Sequence, residues 1–405
     1  MVDDERRGGA SSDVPAGATA FEAMLDLAHP LKVEAAAWAA TELPGAGSGI
    51  DRDVWRRAAT WGVQGLLVPT ALGGGARSIS EALLVFEGLG LGCVDNGVVF
   101  ALASQVFAMQ RALTSAGSPA QLERWLRPLV AGELIGSFAM SEPDAGSDTA
   151  SITTTATALD DGGYRLDGVK SWVTLGPICD VVIVFATTDP AKGRWGITAF
   201  VLDANSPGLR RGPVVAKMGL GTCPFGTLEL DGVVVGPDAV LGAVGAGAAI
   251  FADAVESERA YLYAAPLGAM ERVIDASIRR ARERRQFGAP IGTFQAVSHR
   301  IVEMKLRHEA ARLLVYKAAA LAERGESVAV AAALAKLQTS EMSVVSALDA
   351  IRIHGAEGYT EAAGVEAELR DAIGGLAFSG TSDIQRNLVA RLLGVDRPAR
   401  RRARG

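Results

Sequence analysis

The sequence predicts an α+β protein in which a helical region, a β module and a helical bundle follow one another along the chain. Three observations predict it. Apolar residues recur at helical spacing from about residue 21 to 135. Short β-branched runs, separated by Gly, Asp, Asn and Pro, fill 136–243. Long helical patterns return over 244–395. A chain of 405 residues has room for two or three cores of ordinary domain size. The three stretches therefore read as an N-terminal helical domain, a middle β-barrel domain and a C-terminal helical bundle.

Residues 1–20 are rich in Gly, Ser, Asp and Arg and read as a disordered tail. In the first helical region the plainest signal starts at Ser118, a good N-cap. Pro119 suits the first helical position and Gln121 completes a capping box. Leu122, Trp125, Leu126 and Leu129 then form a stripe that Gly132 ends. In the middle region YRLDG, VVIVFATT, GITAFVL and TLELDGVVV read as strands of a small antiparallel barrel or sandwich. Beyond it, Leu306, Ala310, Leu313 and Leu314 keep helical spacing up to Gly325. A second long helix runs roughly from Val328 to His354, where Gly355 stops it. Residues 396–405 read as a basic, solvated tail. There is no repeat of fixed period. Glycines cluster in GLGLGC (88–93) and GAVGAG (242–247), but neither matches G-x-G-x-x-G inside a βαβ unit, which argues against a Rossmann site.

Charge and cysteine usage narrow the function classes. A formal net charge of −6 gives no nucleic-acid footprint. Cys93, Cys179 and Cys223 are far apart and read as reduced packing thiols of a cytoplasmic protein. No Cys/His cluster has metal-ligand spacing, so no metal site is expected. The start, MVDDERRGGASSD, lacks the apolar core of a signal peptide. The longest apolar stretch, Gly97 to Met109, is broken by Ser104 and Gln105 and is too short to span a bilayer, so no membrane partner is expected. His29, His299, His308 and His354 are scattered, with no Ser-His-Asp or HExxH pattern.

Four stretches can carry chemistry. In MSEPDAGSD (140–148), Ser141, Ser147 and free amides can hold an anionic or carbonyl-rich ligand, although many surface loops look alike. In KSWVT (170–174), Trp172 and Thr174 share a strand face. That pair suits an aromatic ligand with a nearby hydrogen-bond acceptor, and equally a core Trp beside a surface Thr. ERRQFGAPIGTFQAVSHR (283–300) brings Arg284 and Arg285 to a helix end, and Arg forks suit pyrophosphate. FSGTSDIQR (378–386) places hydroxyls, a glycine and a carboxylate before a helix start.

In this order and spacing, the four stretches strongly resemble the acyl-CoA dehydrogenase family over roughly residues 20 to 395. The resemblance implies an N-terminal helical domain, a middle antiparallel β domain and a C-terminal four-helix bundle, assembled as a homotetramer or dimer. It implies FAD between the β domain and the bundle. By position, Met140 and Ser141 meet the flavin pyrimidine edge, Ser147 the pyrophosphate, Trp172 the side of the ring and Thr174 the region of N5. Arg284, Gln286, Phe287 and Gly355 reach the FAD of a neighbouring subunit, and Thr381 and Asp383 touch the FAD of their own. Arg352 and Ala356, in IRIHGAEGY, replace the usual Gln and Gly. Arg352 can still serve the pyrophosphate, whereas Ala356 adds a methyl group where backbone and cofactor approach.

One departure bears on mechanism. Dehydrogenation of an acyl thioester needs a base for the α-proton, facing the hydride acceptor across the acyl chain. Most of the family carries a glutamate where this chain has Ser379, and serine is no base at neutral pH. By resemblance Arg259 lies beside the acyl site, and Glu258 before it stands where a minority of the family carries its base. Glu256 is two helical steps away, on the opposite face. The expectation is therefore a relocated base, Glu258, with Arg259 and Ser379 at the substrate. A surface carboxylate paired with an arginine is the plainer alternative. Finer likeness in LGCVDNGVVFA, RRQFGAPIGTFQAVSHRIVEMKLR, SERA and FSGTSDIQ points to the branch that oxidises L-prolyl thioesters on peptidyl carrier proteins in natural-product biosynthesis. The partners implied are an acyl or peptidyl carrier protein, or a CoA thioester, as substrate, with an electron-transfer flavoprotein or O2 as acceptor. An ordinary short-chain acyl-CoA dehydrogenase, a flavin-dependent monooxygenase on the same fold and a silent flavoprotein subunit are the competing readings.

Overall fold

A computed structural model describes residues 26–43 and 50–395. The tails expected at 1–20 and 396–405 lie outside the described residues. The first helical region holds α1 (Pro30–Glu42), α2 (Arg52–Trp61), α3 (Ile79–Gly92), α4 (Asn96–Ser104) and α5 (Gln110–Ala116). A π-helical turn, Gln105–Met109, joins α4 to α5. The capping box at Ser118 and Gln121 forms. The helix it starts is α6 (Pro119–Gln121), a π turn over Leu122–Leu126 and α7 (Arg127–Val130). Pro128 lies in the first turn of α7. Having no N–H, it cannot continue the i→i−4 ladder, which accounts for the wider turn before it.

The GLGLGC run closes α3, and its glycines serve helix packing. A Cβ at Gly88 would lie 2.4 Å from the Lys32 carbonyl of α1, and one at Gly90 1.9 Å from the Ala265 carbonyl. Only hydrogen fits where the backbones approach this closely.

The middle region forms an eight-stranded sheet from β1 (Gly136–Ala139), β2 (Thr155–Ala158), β3 (Tyr164–Thr174), β4 (Val181–Thr187), β5 (Ile197–Asp203), β6 (Leu209–Arg211), β7 (Phe225–Val235) and β8 (Val240–Leu241). The order is β6-β7-β3-β2-β4-β5-β8, with β1 beside β4. Most pairs are antiparallel, but β1 runs parallel to β4 and β2 touches β4 through one parallel bridge. Four strands match the four β-branched runs. VVIVF of β4 is buried throughout, as expected of a strand covered on both faces.

The last region packs α8 (Gly247–Tyr261), α9 (Ala264–Glu283), α10 (Gln295–Glu323) and α11 (Ala329–His354) against one another, followed by α12 (Val365–Gly374) and α13 (Ser382–Leu392). One core cluster joins Leu83, Phe86 and Leu102 of the first region to Tyr263, Val315 and Tyr316 of the last, so the two ends of the chain share a single interior. At its centre Glu87 receives Lys32 at 3.0 Å, Arg312 Nε at 2.8 Å and the Tyr316 hydroxyl at 2.7 Å. The apolar spacing in α10 does not all face inward: Leu306 and Leu313 are exposed, with Val302 beside them. Among the described residues no helix is long and apolar enough to cross a membrane.

Candidate active site

Glu258 lies in the last turn of α8, and Ser379 in the turn between α12 and α13. The Ser379 hydroxyl donates to Glu258 Oε1 at 2.8 Å, across 121 residues of chain. Ser379 holds a left-handed φ of 56°, a strained setting for a residue with a side chain. Its carbonyl is held twice, by Arg259 Nε at 3.0 Å and Gln385 Nε2 at 3.2 Å. Gly380 follows at φ 84°, where a Cβ would meet Gln385 Nε2 at 2.8 Å. Thr381 caps α13 by accepting from Ile384 N at 3.2 Å. Burial raises the pKa of the Glu258 carboxyl above its ordinary value. The Ser379 hydroxyl and the Arg259 charge offset it only in part. Arg259 is thus not a simple ion-pair partner: it grips the backbone that presents Ser379. Glu256 sits elsewhere on α8, near Asp253 and Arg111, which pair at 2.7 Å.

Behind Ser379 stand three rings. Phe378 packs on Phe100 at 4.6 Å and on Tyr263 at 5.9 Å. They border a cavity of ≈ 70 Å³ with Leu262 and Met270 in its wall.

The β side of the site is built by two of the sequence stretches folding onto each other. Lys170, wholly buried, donates to the Met140 carbonyl at 3.0 Å and to Glu142 Oε1 at 2.8 Å. Glu142 also accepts from the amides and hydroxyls of Thr153 and Thr154. Burial opposes its charge, but Lys170 and the threonine donors outweigh burial and hold it at about 2. Sequence reasoning passed over Lys170 and Glu142, although both sit inside the quoted stretches. A charged residue beside an apolar strand was the available signal. With this lock in place Met140 is buried, Ser141 accepts from Ser171 N at 2.9 Å, and Ser147 remains exposed. A bulge between Lys170 and Val173 turns Trp172 outward at φ 59°, 57% exposed, against Phe225 at 5.8 Å. Thr174 ends the strand two residues on, and its carbonyl accepts from the Ser137 hydroxyl at 2.6 Å.

Arg284, Gln286, Phe287, Arg352 and Gly355 gather at another place. β9 (Arg285–Gln286) and β10 (Ala289–Pro290) form a hairpin whose two-residue turn, Phe287-Gly288, has positive φ at both positions. The turn presents Phe287 at 95% exposure. One helical turn earlier, Arg280 contacts the His354 carbonyl and Glu357, which brings the end of α9 to the end of α11. Arg352 pairs with Asp349 at 3.1 Å and is otherwise open, and Gly355 closes α11 at φ 66°. Among the described residues no hydrogen bond or ion pair joins this group to Glu258 and Ser379. Asp383 points to solvent. Exposed aromatic faces at Trp172 and Phe287, exposed guanidinium groups and open backbone at Ser147 suit a ligand with a flat ring system and a diphosphate.

Among the described residues one cluster has metal-ligand geometry, Glu87, Glu271 and His308. The Lys32 ammonium stands between its carboxylates, 3.0 Å from Glu87 and 2.5 Å from Glu271, so it reads as an ion-pair knot.

Family models for the acyl-CoA dehydrogenase N-terminal, middle and C-terminal domains match residues 19–133, 137–233 and 245–394. The chain is 42% identical to an L-prolyl-[peptidyl-carrier protein] dehydrogenase of Pseudomonas fluorescens strain Pf-5, over 84% of this chain and 89% of the relative. The crystal structure of the prolyl acyl carrier protein oxidase AnaB superposes with a TM-score of 0.88 at 40% identity, covering 90% of this chain and 98% of that one. PigA, solved with FAD and proline, superposes with a TM-score of 0.85 at 33% identity, covering 94% and 97%.

Proposed function

This chain belongs to the acyl-CoA dehydrogenase family, and from that premise we propose that it is an FAD-dependent dehydrogenase of an L-prolyl thioester on a carrier protein, with Glu258 as its base. The observation that carries the reading is the 2.8 Å hydrogen bond from Ser379 to Glu258. The position that has lost a carboxylate touches the one that has gained it. Identity to the prolyl-carrier relatives supports the substrate class.

FAD would be held by Met140, Ser141, Ser147, Trp172, Thr174, Thr381 and Asp383 of one subunit and by Arg284, Gln286, Phe287, Arg352 and Gly355 of another, and it supplies the hydride acceptor. Glu258 takes the substrate α-proton. Its raised proton affinity suits that task, since a carboxylate that binds a proton more tightly than usual is a stronger base. Ser379 orients the carboxylate by donating to one oxygen, which leaves the other for the substrate. Arg259 fixes the Ser379 backbone. The Phe100, Tyr263 and Phe378 rings bound the site next to Ser379, which supports a short, ring-shaped acyl group over a long chain.

The exposed Val302, Leu306, Leu313, Val345 and Leu348 on α10 and α11, together with Phe287, support assembly with further copies of the chain as a dimer or tetramer. Three buried, unpaired cysteines support a cytoplasmic setting. An electron-transfer flavoprotein or O2 takes the electrons. The test is anaerobic mixing of FAD-loaded protein with L-prolyl carrier protein and with acyl-CoA thioesters. L-prolyl carrier protein should bleach the flavin while the acyl group loses two hydrogens per flavin reduced. Rapid bleaching by butyryl-CoA with none by any carrier-bound aminoacyl group would move the chain to the ordinary acyl-CoA branch.

A further inference from the structure

Lys336 lies on α11 and is wholly buried. Among the described residues no ion pair joins it to a carboxylate; its ammonium donates to the Gly375 carbonyl at 2.8 Å. A buried ammonium is costly unless something compensates it. The compensation here is a helix end. Gly375 is the C-cap of α12, where carbonyls lack helical partners and the helix dipole is negative. The Tyr263 hydroxyl donates to the same carbonyl at 3.1 Å.

Beyond Gly375 the chain makes one turn, through Phe378 and Ser379, before Thr381 caps α13. That turn is held at both ends. Lys336 and Tyr263 hold its start. Arg259 and Gln385 hold its finish, at the Ser379 and Gly380 carbonyls. Between the two clamps Ser379 is kept at its left-handed φ of 56° with its hydroxyl on Glu258.

We propose that Lys336 is a positioning residue for proton abstraction: by holding the Gly375 carbonyl it fixes the turn that presents the Ser379 hydroxyl to Glu258. The inference rests on Glu258 being the base. The groups that bear on Glu258 are Ser379 from the turn before α13, Arg259 from its own helix and Tyr263 from the N-cap of α9. Those that bear on Lys336 are Glu341 of its own helix, Arg259 of α8 and Arg386 of α13. Burial draws Lys336 down to about 8, with Glu341 opposing and the two arginines adding.

The experiment is a double-mutant cycle on FAD-loaded protein with Ser379→Ala, Lys336→Met and both together. Two readouts are taken: the infrared titration of the Glu258 carboxyl, referenced to Glu258→Gln, and the pH dependence of anaerobic flavin reduction by L-prolyl carrier protein. Ser379→Ala removes a hydrogen bond to an ionised group, so the Glu258 titration moves to higher pH. Reduction should slow about 10-fold on the acid side, with the alkaline plateau kept. Lys336→Met should do the same, and the double variant should go no further than Ser379→Ala. Tyr263→Phe removes the second donor and should move the titration in the same direction, which keeps the test available if Lys336→Met does not fold. An unmoved titration in Lys336→Met, or in Tyr263→Phe where it stands in, overturns the proposal. So do additive shifts in the double variant, since they mean a direct field of the ammonium on Glu258. If Glu258→Gln is reduced at the wild-type rate, the assignment of the base fails and a role for Lys336 in proton abstraction fails with it, while the infrared cycle still reports whether Lys336 holds the Ser379 contact.

Discussion

At Glu258 two opposing effects set one proton affinity: burial disfavours the carboxylate, while the Ser379 hydroxyl and Arg259 favour it, and burial wins. Glu258→Gln should therefore lose substrate-driven bleaching by about 10²-fold or more while keeping its FAD, as expected for removal of a positioned base. Wild-type reduction rates should climb with pH through a value above the ordinary carboxylate range, because the base acts only when ionised. The same shift has a stability sign. A carboxyl whose proton affinity is raised by folding favours the folded state while protonated, and this is lost as pH rises from the unfolded value through the folded one. Glu258→Gln should then melt above the wild type at neutral pH and level with it in acid. A lower melting temperature at neutral pH would show that the charge of Glu258 is stabilised in the fold.

At the scale of an element, the hairpin of β9 and β10 spends little of its structure on its own chain. Phe287 stands almost free, with the edge of the Phe294 ring at 6.0 Å. An exposed aromatic at a positive φ gives the isolated subunit little stability, so its value lies in what it covers. Phe287→Ala should weaken FAD retention by about 10-fold, from the loss of one buried ring, with no change in the circular dichroism of FAD-free protein. FAD content of the purified variant, read from flavin absorbance, checks this. Unchanged retention would remove the hairpin from the cofactor site. The bulge at Trp172 argues alike: φ 59° is costly for tryptophan, and it turns the ring outward against Phe225.

Across the whole molecule, the first and last helical regions are one body, knotted by Lys32, Glu87, Glu271 and Arg312. Arg312 and Tyr316 leave Glu87 charged even without Lys32, so Lys32→Met strands part of a buried charge cluster. We expect a loss of about 3–5 kcal/mol in denaturant unfolding. A loss below about 1 kcal/mol would mean that the knot relaxes or hydrates. Glu87 is held below its ordinary value: burial opposes its charge, but Arg312 and Lys32 outweigh it. Its share of stability is present at neutral pH and is lost as pH falls through that lowered value. Added FAD should raise the melting temperature with its concentration, because it binds the folded chain alone.

The order of elements was readable from the residues in line, because periods of 3.6 and 2 are local properties: the strands at VVIVF and GITAFVL, the capping box at Ser118 and the stop at Gly355 each depend on neighbours a few positions away. The family was readable for a related reason, since four short stretches keep their composition and spacing. Local pattern could not say what a face meets. Leu306 and Leu313 have the spacing of core residues and stand at the surface, and the GLGLGC run that lacks a nucleotide-binding pattern proves to be where helix backbones touch. Nor could it say which distant groups become neighbours. Ser379 reaches Glu258, Lys170 reaches Glu142 and Lys336 reaches Gly375 through 121, 28 and 39 residues of chain. Only packing makes these contacts: Lys170 and Lys336 are buried so deeply that each must find a partner from another element, and the half-buried Ser379 and Glu258 meet where the turn before α13 closes on the end of α8.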